Sequence, residues 1–172
     1  MTIDDIFSKA DPYKLSENPF QLIGKDWFLV TAGKGDTFNT MTAGWGSFGV
    51  LWNKPVITTF IRPTRHTFSF AEESDYFSAC FFSKSYRKML NYCGSVSGKD
   101  VDKVKESGLT TLFTPNSQAI FAEAYLAFEC RKLYYSDILP ENFMQESIFK
   151  HYPLQDFHRM YVGEILTCWK KK

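Results

Sequence analysis

The chain has 172 residues, of which 44% are hydrophobic, 23% charged and 17% aromatic, with 17 Phe and 9 Tyr. That length suits a single domain, residues 1–172, with a true hydrophobic core, and the aromatic content favours a β-rich interior or a large interface. A formal net charge of +1 points away from nucleic acid and from anionic membrane as bulk partners.

The N-terminal MTIDDIFSKADPYK lacks the basic and apolar regions of a signal peptide, and no apolar run approaches a membrane span. Cys80, Cys93, Cys130 and Cys168 are scattered without a CxxC or metal-ligand spacing. Buried free thiols in a cytoplasmic protein are the expectation. The terminal Lys170-Lys171-Lys172 reads as a solvated tail.

In chain order, Asp4 to Ala10 reads as a short helix, with Thr2 as cap and Asp5 three residues on. Trp27 to Ala32 is a dense apolar run with the length of a buried strand, and Gly33-Lys34-Gly35-Asp36 turns it back. The return strand opens the most informative stretch, Asn39 to Thr67. Small residues Gly46, Ser47 and Gly49 lie between Trp45 and Trp52, and Val56-Ile57-Thr58-Thr59-Phe60-Ile61 has strong strand propensity. The stretch ends on Arg62-Pro63-Thr64-Arg65-His66-Thr67. Small residues let a ligand approach the backbone, Arg offers forked donors to phosphate, and an aromatic can wall off a ring. The same residue types also make ordinary hairpin turns and cores, and on composition alone that plainer reading has more weight.

Phe68 to Ser74 reads as a short helix, Tyr76 to Phe82 as a strand buried on both faces, and Lys84 to Tyr92 as a helix. In the last, Tyr86, Met89 and Leu90 share one face, with Arg87 and Lys88 outward. Ser97 followed by Asp100 has the pattern of a helix cap, which either caps a helix or holds an anion. Ile120 to Cys130 divides as one strand with a mostly apolar face, continuing through Arg131 to Tyr135. Pro140 to Tyr152 is an irregular or helical excursion, and Arg159 to Trp169 is the last strand. About six or seven strands with short helices suggest an elaborated β-barrel.

His66, His151 and His158 form no HxH or HExxH spacing, so no zinc or iron centre is expected. A GxSxG elbow, a P-loop and a GxGxxG fingerprint are also missing. Cys93 beside Gly94 has no neighbour in sequence that would activate it, and a structural thiol is the simpler account. No catalytic side chain stands out, so any hard chemistry would belong to a bound cofactor.

Several motifs in order resemble one family over almost the whole chain: NPFQLIGKDWFLVTAG (18–33), NTMTAGWGSFGVLWNKPV (39–56), IRPTRHT (61–67), GSVSGKDVDKVKESGLT (94–110), EAYLAFECRKLYYSDILP (123–140) and DFHRMYVGEI (156–165). These resemble the flavin reductase-like, FMN-binding split-barrel proteins, which include flavoredoxin. The resemblance implies a mainly β fold, a six-stranded Greek-key split barrel with inserted short helices, and a homodimer with FMN near its interface. It implies that Asn39 and the Met41-Thr42 backbone line the flavin, with Trp45 packing close. Arg65 and Thr67 would reach the phosphate or ribityl chain. Lys103 would supply a cation, with Ser97 and Gly98 near by, and His158 would contact the cofactor or edge its pocket, or serve as a hydrogen-bonded structural histidine. Glu164 reads as structural. Longer relatives can add an aromatic beyond the GEI strand, a contact that a chain ending at Lys172 would lack or supply otherwise. The implied activity is an NAD(P)H:flavin reductase or a flavoredoxin-like electron carrier serving a redox partner protein, with NADH or NADPH as donor. A non-catalytic FMN-binding or sensor protein is the alternative.

Overall fold

The structure is a computed structural model and describes residues 2–172. Ten strands are formed: β1 (Phe7–Ala10), β2 (Phe28–Lys34), β3 (Thr37–Ala43), β4 (Gly46–Leu51), β5 (Lys54–Ile61), β6 (Tyr76–Phe81), β7 (Thr111–Phe113), β8 (Ala119–Phe121), β9 (Leu126–Asp137) and β10 (Arg159–Lys171). The helices are short: α1 (Ile3–Ile6), α2 (Pro19–Gln21), α3 (His66–Glu73), α4 (Arg87–Ser95) and α5 (Lys103–Ser107). Eight strands share one antiparallel sheet in the order β3-β2-β6-β9-β10-β5-β4, with β1 added to β10, while β7 and β8 make a separate hairpin. The mainly β class expected from the sequence is therefore what the chain adopts. The pairing path is open between β3 and β4, and it holds more strands than the six expected.

Strand β2 sets the two-layered interior. Its first six residues are all buried, and alternation sends Phe28, Val30 and Ala32 into one apolar cluster and Leu29 into another. The first cluster gathers Phe77, Ala79 and Phe81 from β6, Phe128 from β9 and Ile57 and Ile61 from β5. In the second, Cys80, Ala127 and Trp169 from the opposite faces of β6, β9 and β10 meet Leu90 and Cys93 of α4. Of the helix face expected from the sequence, Leu90 is the fully buried member, while Tyr86 and Met89 pack at its margin.

Three local expectations differ from the structure. The helix expected through Ala10 stops at Ile6, because Phe7 is buried and the chain pairs with the last residues of β10, from Phe7↔Lys171 to Ala10↔Cys168. Thr2 does meet Asp5, through a 2.7 Å bond from its backbone nitrogen to Oδ2. The single strand expected over 120–130 is two. β8 ends at Phe121, a turn closes through Ala124 N to Phe121 O at 3.0 Å, and β9 starts at Leu126. The cap assigned to Ser97 belongs to Asp102, whose carboxylate accepts from Lys105 N at 3.1 Å, and Ser97 instead accepts from Lys99 N. Trp52 and Asn53, both at positive φ (52° and 57°), form the two-residue turn between β4 and β5. Trp52 thus stands at an exposed hairpin tip against Tyr134.

Gly163 marks a register shift in the β9–β10 ladder and lies under Phe77. A Cβ there would come within 2.4 Å of the Phe77 ring and 3.0 Å of Cys130 Cβ. Gly163→Ala is expected to lower stability by about 1–3 kcal/mol through overpacking. Denaturant unfolding checks this, and a midpoint unchanged from wild type would contradict the packing described.

Candidate functional site

Where β3 ends, Met41, Thr42, Ala43, Gly44 and Trp45 form one side of a cleft of about 470 Å³. Phe60 and Arg62 at the end of β5 and Arg65 at the start of α3 form another side. Trp27, α4 from Leu90 to Ser95, and His158 just before β10 complete it. The small residues permit this approach. A Cβ on Gly44 would sit 2.9 Å from the Trp27 ring, and one on Gly94 would sit 3.3 Å from Thr42. Trp27 itself, at φ 66°, carries the Arg87 guanidinium 3.3 Å over its ring, so Arg87 is a stacking group rather than a freely solvated one.

The two arginines of RPTRHT differ in their partners. Arg62 donates to Asp156 Oδ1 at 2.6 Å and to the His151 carbonyl at 2.8 Å, and lies over the Tyr152 ring. Arg65 has a buried Nη2 with no partner. Burial, and then the neighbouring Arg62 charge, hold its pKa below the usual arginine value. A buried guanidinium nitrogen left unpaired carries a desolvation cost that an anion in the cleft would remove.

His158 is also buried. Its Nδ1 is 2.9 Å from the Tyr152 hydroxyl, and its ring lies 4.9 Å from that of Trp45. Burial, reinforced by Arg62, lowers its pKa to about 4 against a smaller opposing effect of Asp156, so the imidazole is neutral at physiological pH.

Met41, Thr42, Trp45, Arg65 and His158 are thus brought together. The remaining residues singled out from the sequence are placed elsewhere. Asn39, Gly98 and Lys103 line a second groove of about 600 Å³. Asn39 Nδ2 donates to Thr67 Oγ1 at 2.7 Å, which buries both side chains in one contact. Gly98 lies so close that a Cβ would fall 1.9 Å from Asn39 Oδ1. Lys103 is buried and donates to the carbonyls of Thr40 (3.1 Å) and Cys93 (2.9 Å), without a carboxylate partner among the described residues. Burial, and then Arg65, lower its pKa to about 8. Ser97 lines neither groove. Glu164 joins Lys54 and Arg131 in ion pairs at 2.7 Å, in keeping with a structural role. A larger cleft of about 630 Å³, between Ser74–Tyr76 and Pro115–Gln118, holds none of the sequence-predicted residues. Its size does not outweigh the chemistry gathered around Arg65.

Sequence reasoning missed Trp27, Phe60, Asn91 and Ser95 as lining residues, and Tyr152 and Asp156 as supports. A signal for Tyr152 was present. Phe143, Phe149, Tyr152 and Phe157 crowd the excursion, and in the structure they pack together at 4.8–6.5 Å between ring centres.

The lowered pKa of Lys103 has a direct consequence for stability. The unfolded lysine, near 10.5, binds a proton that the folded one releases above about 8. Between these values the unfolded state holds more protons, so this group makes stability rise with pH across that window and is a constant burden below it. The difference in unfolding free energy between wild type and Lys103→Met is therefore expected to change between pH 8 and 10 and to be flat from pH 6 to 7.5. Parallel urea titrations measure it, and a difference independent of pH throughout would contradict the buried ammonium.

Comparison with known proteins identifies the family and the fold. Residues 21–172 match the family model described as "Flavin reductase like domain". The fold is similar to flavoredoxin from Methanosarcina acetivorans (24% identity, TM-score 0.68, covering 95% of this chain and 77% of that one). It is similar also to an FMN-binding domain of a flavin reductases-like enzyme from Shewanella baltica (17%, TM-score 0.69, 95% and 76%). An NADH:FAD oxidoreductase from Streptomyces globisporus is a third neighbour (14%, TM-score 0.63, 86% and 77%). No curated protein shows significant similarity to the sequence. At these identities the structural likeness speaks for the fold, and the family match spans most of the chain. The chain belongs to the flavin reductase-like domain family.

Proposed function

We propose that this chain is an FMN-binding oxidoreductase, either an NAD(P)H:flavin reductase or a flavoredoxin-like electron carrier. The observation that carries the reading is Arg65, which lines a cleft with Trp45 and small residues and keeps a buried Nη2 without a partner. Those groups suit a ligand that is both an anion and a flat ring. Bound FMN would supply the hydride or electron transfer at N5 of its ring.

The chain's own residues hold and shield. Arg65 takes the phosphate and fixes its register. β3 ends the strand order, so its outer edge offers backbone N–H and C=O groups outside the ladder for the polar rim of a flavin. Lys103 and Arg65 keep the local field positive, which raises the potential of a bound flavin. Trp45, partly exposed at the mouth, limits water access.

We take the acting form to be a cytoplasmic homodimer, with FMN near the interface and NADH, NADPH or a redox protein as donor. The exposed Val50, Leu51 and Trp52 of the β4–β5 hairpin support an apolar contact. The four buried free thiols are in keeping with a reducing compartment.

Anaerobic titration of the FMN-loaded protein with NADH and with NADPH tests the reading. Bleaching of the flavin absorbance by either nicotinamide is expected of the reductase. A bound flavin that both leave coloured would exclude the reductase and leave the carrier or a non-catalytic FMN-binding protein, and failure to take up FMN at all would overturn the proposal.

A further inference from the structure

Tyr152 belongs to the excursion between β9 and β10, a segment to which neither the family match nor the flavin reading gives a role. Its hydroxyl has one hydrogen-bond partner among the described residues, Nδ1 of His158 at 2.9 Å, and the residue is 5% exposed. Two proton arrangements are available to such a pair. If Nδ1 carried the proton and donated it, the tyrosine hydroxyl proton would be left in the interior without an acceptor. If the hydroxyl donates, every buried proton of the pair is used and the oxygen forgoes only a lone-pair contact. An unmet buried donor is the costlier of the two. Burial holds the Tyr152 hydroxyl protonated, with its pKa pushed up, so it is available as the donor.

The surroundings hold the pair in place. Arg62 lies 5.0 Å over the Tyr152 ring and grips the same segment through Asp156 and the His151 carbonyl. Phe157 and Phe143 pack on Tyr152 from the other rings of the excursion, at 4.8 and 6.0 Å. The groups facing His158 are the Tyr152 hydroxyl, the Arg62 guanidinium, the Asp156 carboxylate, and the uncharged rings of Trp45 and Phe60. Arg65 lines the same cleft. His158 Nε2 has no protein partner among the described residues and is not among the buried unpartnered atoms. It belongs to a residue that lines the cleft, and it stays accessible there.

We infer that Tyr152 is a positioning residue that locks His158 as the Nε2–H tautomer, so that the cleft receives a neutral hydrogen-bond donor rather than a base or a cation. The ligand atom matched to it is an uncharged oxygen acceptor, a ring carbonyl or a carboxamide, on a planar molecule lying against Trp45. Carboxylate ligands gain less there, because the histidine brings no charge. The identity of that molecule rests on the flavin reading, since a flavin carbonyl and a nicotinamide carboxamide share this chemistry. The tautomer does not rest on it.

The test is a nitrogen-15 spectrum of histidine-labelled protein without flavin at pH 7, with the His158 signals assigned by their loss in His158→Asn. Wild type is expected to show a protonated Nε2 and an unprotonated, hydrogen-bonded Nδ1. Tyr152→Phe keeps the ring packing and is expected to give a mixture of tautomers. A protonated Nδ1 in wild type, or the same single tautomer in Tyr152→Phe, would overturn the inference. The wild-type spectrum decides even if the variant does not fold. In FMN-loaded protein, Tyr152→Phe is expected to raise the KM for NADH about five- to tenfold with kcat less affected, the scale of one hydrogen bond. A wild type that shows the Nε2–H tautomer but takes up no FMN would sink the flavin reading and leave the Tyr152 assignment standing.

Discussion

The outer edge of β3 has no strand beside it among the described residues, and the way the molecule holds that edge governs the rest of the site. Three polar contacts pin it to three helices. Lys103 of α5 donates to the Thr40 carbonyl, Thr42 Oγ1 donates to the Leu90 carbonyl of α4 at 2.5 Å, and Asn39 meets Thr67 of α3. Lys103 reaches α4 as well, through the Cys93 carbonyl. A buried ammonium bonded only to carbonyls is a demanding arrangement, tolerated where the alternative is an edge with unmet backbone groups. With the edge fixed, Met41 to Trp45 are presented at a constant distance from α4, and the cleft has a defined width.

The cations around this edge have different duties, which sequence alone does not separate. Arg62 is neutralised by Asp156 and braces the excursion over the cleft. Lys103 is committed to backbone carbonyls and contributes its field rather than a free donor. Arg65 alone of the three has a buried donor without a partner. Charge in a partly dry cleft acts over longer range than in water, so Lys103, which has no carboxylate partner among the described residues, still favours an anion at Arg65. The histidine that lines the same cleft is kept neutral and adds no charge of its own to that field.

Much of the fold was legible because burial on both faces writes a dense apolar code. β2 and β6 stand out on that ground, and Val56–Ile61 of β5 stands out by its strand propensity. β1 was not legible, since Phe7 gains its burial from a partner strand more than 150 residues away in sequence. The break at Ala122–Ala124 was hidden because the apolar alternation continues straight through the turn. Ser97 and Asp102 are equally good caps by type, and the choice falls to Asp102 because Lys103 must then point inward to Thr40. At the site, residue types were legible and their partners were not. Asn39 and Thr67 were read as ligand contacts, and the hydrogen bond that joins them across 28 positions was not visible in the sequence. Tyr152 shows in the sequence only as one of a crowd of aromatics, and its contact with His158 comes from the fold.

The central claim is that Arg65 stands unpaired because its partner is a ligand phosphate. Paired fluorescence titrations of FMN and riboflavin, with wild type and with Arg65→Ala, test it most directly, since the two ligands differ in that phosphate. A charge-assisted contact predicts that wild type binds FMN about ten- to a hundredfold more tightly than riboflavin, and that the preference largely disappears in Arg65→Ala. A folded Arg65→Ala protein that kept the full preference for FMN over riboflavin would contradict the account.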